Sequence, residues 1–113
     1  MAGTYDDARL LVELAKLGAM NGLAEAASRL YAVDFDPDAV EANELPVSTV
    51  LGFFEIVATL VKHDLLNREL VHDVFWVPGV WERAGPAAER FREKMKTPKL
   101  YENVEWLATA GRN

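Results

Sequence analysis

A chain of 113 residues, half of them hydrophobic and 27% charged, is one domain's worth with the composition of a folded globule, which excludes a disordered or multi-domain chain. The absence of cysteine removes disulfides, thiolate nucleophiles, Cys-ligated zinc and iron–sulfur clusters, and a net charge of −6 disfavours nonspecific binding to nucleic acid or to an anionic membrane. The first residues show no basic region followed by an apolar core, and the longest apolar run, 50–61, is interrupted by Glu55 and too short to span a bilayer. The expectation is therefore a cytoplasmic protein without a membrane anchor, in one helical domain over 1–113.

Helical periodicity runs through every long segment, and no segment shows sustained strand alternation. In the first, Leu10, Leu11, Leu14, Ala15 and Leu17 share one face. After residues 18–22, a stretch bounded by two glycines, the apolar set becomes Leu23, Ala27, Leu30 and Tyr31. This second stripe is rotated by more than a quarter-turn from the first, so one straight helix cannot bury both, and a kink or break at 18–22 is predicted. An acidic connector follows over about 33–46, in which Asp36 and Pro37 form the N-cap and N1 signature of a short helix.

Pro46 and Ser48 then open a central helix over about 47–63. Its apolar residues, among them Val50, Leu51, Phe53, Phe54, Val57 and Val61, cover more than half its circumference. Only a strip of Gly52, Glu55, Thr59, Lys62 and His63 is left over, so this helix is expected to be the hub around which the others pack. Residues 64–67 read as a tight turn, with Asn67 capping a helix to about residue 77 whose Leu70, Val71, Val74 and Phe75 face inward. Beyond Pro78 and Gly79, Trp81, Ala84, Ala88, Phe91 and Met95 fall at heptad-like steps, with Gly85 and Pro86 predicting a kink or split inside that seam. Thr97 and Pro98 are expected to open a last helix burying Leu100, Val104 and Leu107, with a frayed tail over 109–113. The predicted fold is all-α: an orthogonal or up-down bundle of five to six helices around the central one.

The chemistry-bearing patterns are few. Asp34, Asp36 and Asp38 resemble the opening of a calcium loop, but the positions that need glycine and a bidentate glutamate hold Ala39 and Leu45. Glu69 and His72 have the spacing of a di-iron E-x-x-H pair, yet Glu55 falls about one helical turn out of level with His72 in the hairpin that the two helices would form; His72 reads as a surface histidine. Two histidines are too few for a histidine–aspartate phosphohydrolase, and neither a nucleophile elbow nor a phosphate-cradling glycine loop is present. No catalytic residue, metal or cofactor is assigned.

Three residues stand out. Glu55 interrupts an apolar run, so it either faces water or is buried against a partner such as Arg90, Arg92, Tyr101 or Trp106. Trp76 falls on the polar side of its helix near Glu69, His72 and Asp73, and Tyr31 falls at the edge of its stripe; each is a candidate interface aromatic unless the chain turning from Pro78 to Trp81 covers the first. Charge is also uneven: residues 1–61 hold three bases against ten acids (−7), and residues 83–99 six bases against two acids (+4). That asymmetry suits a solvated mixed face, a basic docking face, an acidic half folded on a basic one, or a head-to-tail contact between chains.

Leu51, Phe54 and Glu55 with their apolar continuation, residues 64–70, the basic region at Arg92, and Pro98, Tyr101, Glu105 and Leu107 together resemble a bacterial family designated domain of unknown function number 4760, over about residues 51–107. The resemblance implies a helical domain whose fold is partly defined by Phe54, Glu55, Tyr101 and Glu105. It carries no established activity. Many members look membrane-anchored at the N-terminus, where this chain has an Ala/Leu-rich amphipathic helix. Two functional expectations follow: a non-enzymatic module that forms a homodimer or docks on a protein partner through Trp76, Tyr31 or the first helix, or a small-molecule or enzymatic pocket centred on Glu55 with Arg92, Tyr101 and Trp106.

Overall fold

The computed structural model describes residues 4–109, and the predicted frayed tail lies almost wholly outside them. Six helices follow one another: α1 (Tyr5–Met20), α2 (Leu23–Leu30), α3 (Leu45–Lys62), α4 (Arg68–Val74), α5 (Val77–Met95) and α6 (Glu102–Thr109). There is no strand among the described residues. The all-α bundle around a central helix is therefore the observed fold.

α3 is the hub. Eight of its residues are buried, and α2, α5 and α6 pack around it. It is also long and apolar enough to cross a membrane by length and composition, but here its apolar arc is spent on the other helices: Val50, Leu51, Val57 and Ala58 are fully enclosed. Phe53, Phe54 and Phe75 form an edge-to-face cluster, with ring centroids 5.1–5.8 Å apart, where α3 meets the end of α4.

The predicted break between the first two stripes falls at Asn21 and Gly22, with Gly22 in the left-handed region (φ 74°) that a residue without Cβ occupies at no steric cost. Thr4 and Asp7 form a capping box at the start of α1. The other oxygen of the Asp7 carboxylate accepts from the backbone N–H of Asn67 at 3.0 Å, tying the first helix to the α3–α4 turn. Buried contacts of α1 come from Leu14 and Gly18, with Leu10 and Leu11 half-buried beside them; Ala15, expected on that face, is exposed.

Five local expectations need correction. Asp36 closes one turn rather than capping a helix: its side chain accepts from Asp38 N–H, and the connector then continues without regular structure. α4 stops at Val74 because Phe75 turns extended (φ −119°, ψ 136°) to enter the aromatic cluster, which leaves Val74 exposed. α5 is not split at Pro86; Gly85 before it lacks the Cβ that clashes with a following proline, and its bare Cα face is covered by the Trp81 indole. The last helix starts at Glu102 instead of near Pro98, because residues 97–101 form turns ending in Tyr101 at φ 59°; Leu100 is consequently only half-buried. The central helix itself begins at Leu45, two residues early.

The basic segment does lie against the acidic half, although among the described residues no ion pair joins them. Arg83 donates to the carbonyls of Leu30 and Ala32, and Arg90 to those of Pro37 and Val40. The guanidinium groups thus satisfy main-chain acceptors of a connector that has no helix or sheet to satisfy them.

Candidate functional site

Two places gather the residues singled out in the sequence. The first is the seat of α6 on the hub. Its polar strip, left over by the apolar arc of α3, faces the N-terminus of α6. Glu55 is half-buried there, and its Oε1 accepts from the Val104 N–H at 2.8 Å, the position at which a capping oxygen binds the first turn of a helix. One turn along, Thr59 accepts from the Asn103 side-chain amide, whose oxygen in turn accepts from Lys62. A carboxylate at a helix N-terminus also meets the positive end of the helix dipole. Tyr101 lies beside this cap: burial first, and the Glu55 carboxylate second, push its hydroxyl above the ordinary tyrosine pKa.

Arg92 closes the same junction from the α5 side. Its Nε donates to the Leu100 carbonyl at 2.7 Å and its Nη1 pairs with Glu105 at 2.8 Å. Its Nη2 is shielded from solvent with no hydrogen-bond acceptor among the described residues, and the guanidinium lies 5.5 Å over the Trp81 ring. Glu55, Arg92 and Tyr101 therefore converge on one structural junction, where Glu55 and Arg92 are already engaged in holding α6. Trp106 is directed elsewhere, to a depression of about 540 Å³ that it shares with Asp7, Lys62, Asp64, Asn67 and Arg68. Glu55 lines neither that depression nor the groove described next.

The second place brings Tyr31 and Trp76 together. They belong to different parts of the chain, and their rings stack at 6.0 Å with 12° between planes. Trp76 is 65% exposed and Tyr31 42% exposed, so the pair stands at the surface. The expected cover from the chain between Pro78 and Trp81 is only partial: Trp76 lies on the bare Cα of Gly79, where a Cβ would come within 2.6 Å of the indole. Partial burial raises the Tyr31 hydroxyl pKa, with Arg83 acting in the opposite sense.

The stacked pair closes one end of an apolar groove of about 400 Å³ between the α1–α2 hairpin and the α4–α5 elbow. Small side chains (Ala15, Ala19, Ala24 and Ala27) form one wall, Val74 and Trp76 the other, and Phe54 and Phe75 the floor. The small wall lets another backbone or an aromatic ring approach closely, while the floor supplies apolar area. The sequence marked Tyr31 and Trp76 separately as aromatics off their stripes; it gave no sign that they meet, because their contact depends on Phe75 leaving the helix.

His72 departs from its expected surface position: both ring nitrogens are shielded from solvent. Among the described residues no three His, Asp or Glu side chains are grouped so as to hold a metal ion. The acidic connector borders a depression with Arg29, Phe35 and Val47, where Asp34, Asp36 and Glu44 outnumber the one base and make the lining net acidic.

No curated protein and no solved structure shows recognisable similarity to the chain. The model of a protein family matches residues 5–110, reaching α1 and α2 as well as the segment 51–107 where the resemblance was legible. The six-helix arrangement, with its capped α6 and its α1–α2 hairpin, thus coincides with the extent of that family, and the chain belongs to the domain of unknown function DUF4760.

Proposed function

We propose that the chain is a non-enzymatic self-association module, working in a reducing compartment, whose contact surface is the groove closed by Tyr31 and Trp76. The observation that carries this reading is the exposed aromatic stack at the end of a groove with almost wholly apolar walls. Aromatic anchors beside an apolar pocket are the usual energetic centre of a protein interface. The ionisable residues nominated for chemistry point the same way, since Glu55 and Arg92 are spent on holding α6.

Sedimentation velocity across a micromolar dilution series tests the proposal. The expected result is a species of about twice 12.6 kDa that dissociates on dilution, and a shift to monomer in Trp76→Glu with an unchanged helical spectrum. A mass near 12.6 kDa at every concentration would overturn self-association.

A further inference from the structure

α6 is joined to the body of the protein by a link whose backbone is strained at both ends. Residues 96–101 contain no glycine, yet Lys96 at φ 53° opens the link and Tyr101 at φ 59° closes it. Among the described residues Asp64 is the remaining non-glycine residue in the left-handed region. A short polar side chain such as aspartate is tolerated there, whereas the Cβ of a lysine or a tyrosine crowds the following carbonyl without compensation. Between these two residues the chain is held in turns: the Leu100 N–H donates to the Thr97 carbonyl at 3.2 Å, and the Glu102 N–H to the Lys99 carbonyl at 3.1 Å. Pro98 opposes a continuous α5–α6 helix and biases Thr97 toward extended backbone. The strain is therefore relieved by straightening the link, not by coiling it.

The helix beyond the link is specified by its seat more than by itself. Over its described length, Glu102–Thr109, α6 is shorter than the roughly 12–15 residues that an isolated helix needs in water. On the seat, Val104 and Leu107 are fully enclosed where α6 packs on α3 and α5. Glu55 caps the Val104 N–H at 2.8 Å, Thr59 accepts from the Asn103 amide at 2.9 Å, and Arg92 pairs with Glu105 at 2.8 Å. Glu55, Thr59 and Arg92 all precede the link in the chain. The seat thus reads α6 by contacts that do not depend on which chain delivers it, and a second copy carries the identical helix.

We infer that α6 is an exchangeable latch: two copies trade their α6 helices, each seated on the α3 and α5 of the other, with residues 96–101 opened into the crossover. Short connections under strain invite such an exchange, and the traded pair closes on a two-fold axis. Straightened, the link reaches about 20 Å. The cap on Val104, the Thr59–Asn103 bond and the Arg92–Glu105 pair are all re-formed between chains, while Lys96 and Tyr101 leave the left-handed region. The bond from Arg92 Nε to the Leu100 carbonyl, which lies inside the link, is given up.

This exchange goes beyond self-association through the Tyr31–Trp76 groove and does not rest on it, because it uses a different surface. It is also slower. α6 has to leave its seat before it can be traded, so the exchanged dimer forms on refolding at millimolar protein and not in a micromolar dilution series.

Charge exchange across the latch tests this, with Trp76→Glu built into every chain so that the groove contact is removed. Arg92→Glu in one chain and Glu105→Arg in another each set like charges at the seat. Refolded separately, each is expected to be monomeric, with fast exchange of the Val104 amide. Refolded together at millimolar protein, they are expected to form a heterodimer of about twice 12.6 kDa with Val104 protection restored, since each α6 then meets the opposite charge on the other chain. Should either charge variant fail to fold, Lys96→Gly decides the matter. Lys96 is exposed, so glycine there relieves strain in the closed link without loss of packing, and the dimer fraction after refolding is expected to fall about fivefold or more. A mixture that yields no heterodimer, or a dimer indifferent to Lys96→Gly, would overturn the exchange. A dimer abolished by Trp76→Glu alone would also overturn it while leaving the groove reading in place.

Discussion

Phe54 shows how a single position can be read from periodicity and then priced by packing. It sits in the middle of the wide apolar arc of α3, is 3% exposed, and meets both Phe53 and Phe75 edge to face. Phe54→Ala is expected to lower stability by about 3–5 kcal/mol in chemical denaturation, a large share of what a domain of this size possesses. Glu55, its neighbour, was equally conspicuous in the sequence, but its partner was not. A list of basic and hydroxyl side chains does not contain the Val104 amide, which becomes available only because α6 begins late and offers an uncapped first turn. Glu55→Ala is expected to cost about 1 kcal/mol, in line with the loss of a helix cap, and to speed exchange of the Val104 amide. Glu55→Gln, which keeps the acceptor, is expected to retain most of that protection.

At the scale of elements, the legible parts were those set by a long stripe: α1, α2, α3 and α5 all lie where periodicity placed them. The parts that were not legible turn on one backbone angle each. Tyr101 in the left-handed region delays α6, and Phe75 in the extended region ends α4 and creates the elbow on which Trp76 stands. The elbow also depends on Gly79. Gly79→Ala puts a Cβ within 2.6 Å of the Trp76 ring, so the indole must shift from the position in which it stacks on Tyr31. The expected outcome is a changed near-ultraviolet dichroism of tryptophan and weaker self-association, with the far-ultraviolet helical signal intact. At the other end of α1, hydrogen bonds from the backbone and hydroxyl of Thr4, joined by the Asn67 N–H, hold the Asp7 carboxyl below the usual carboxylate range. A carboxylate held low stabilises the fold fully above its ordinary pKa, and that contribution disappears as pH falls through the folded value. The tie between α1 and the α3–α4 turn is thus expected to open in acid, seen as a falling protection factor of the Asn67 amide as pH drops below the ordinary aspartate value of about 3.9, whereas in Asp7→Asn that protection is expected not to change with pH.

For the whole molecule, charge gave a true hint and the wrong mechanism. The basic segment does meet the acidic half, yet Arg83 and Arg90 bind carbonyl oxygens rather than carboxylates. Carbonyl acceptors carry no signature in composition, so the net-charge argument could locate the contact without naming its atoms. Arg90→Ala removes donors to Pro37 and Val40 together, and hydrogen bonds from a charged group are each worth about 1.5–3 kcal/mol. The expected result is a loss of about 2 kcal/mol, together with protease cleavage inside residues 33–44 under conditions where the parent chain resists.

That arginine bracing also dictates an order of events. The connector's acceptors are met by donors 50–53 residues further along the chain, so nothing translated before Arg83 can settle it. While the polypeptide leaves the ribosome, α1, α2 and much of α3 can form, but the segment between α2 and α3 stays hydrated until α5 has emerged and folded back. Closing so long a loop is a slow, non-local step. A nascent chain arrested after α3 is therefore expected to be cut readily at the connector, and one arrested after α5 to be protected, so that the two guanidinium groups act as the clasp that completes the N-terminal half after its own synthesis is over.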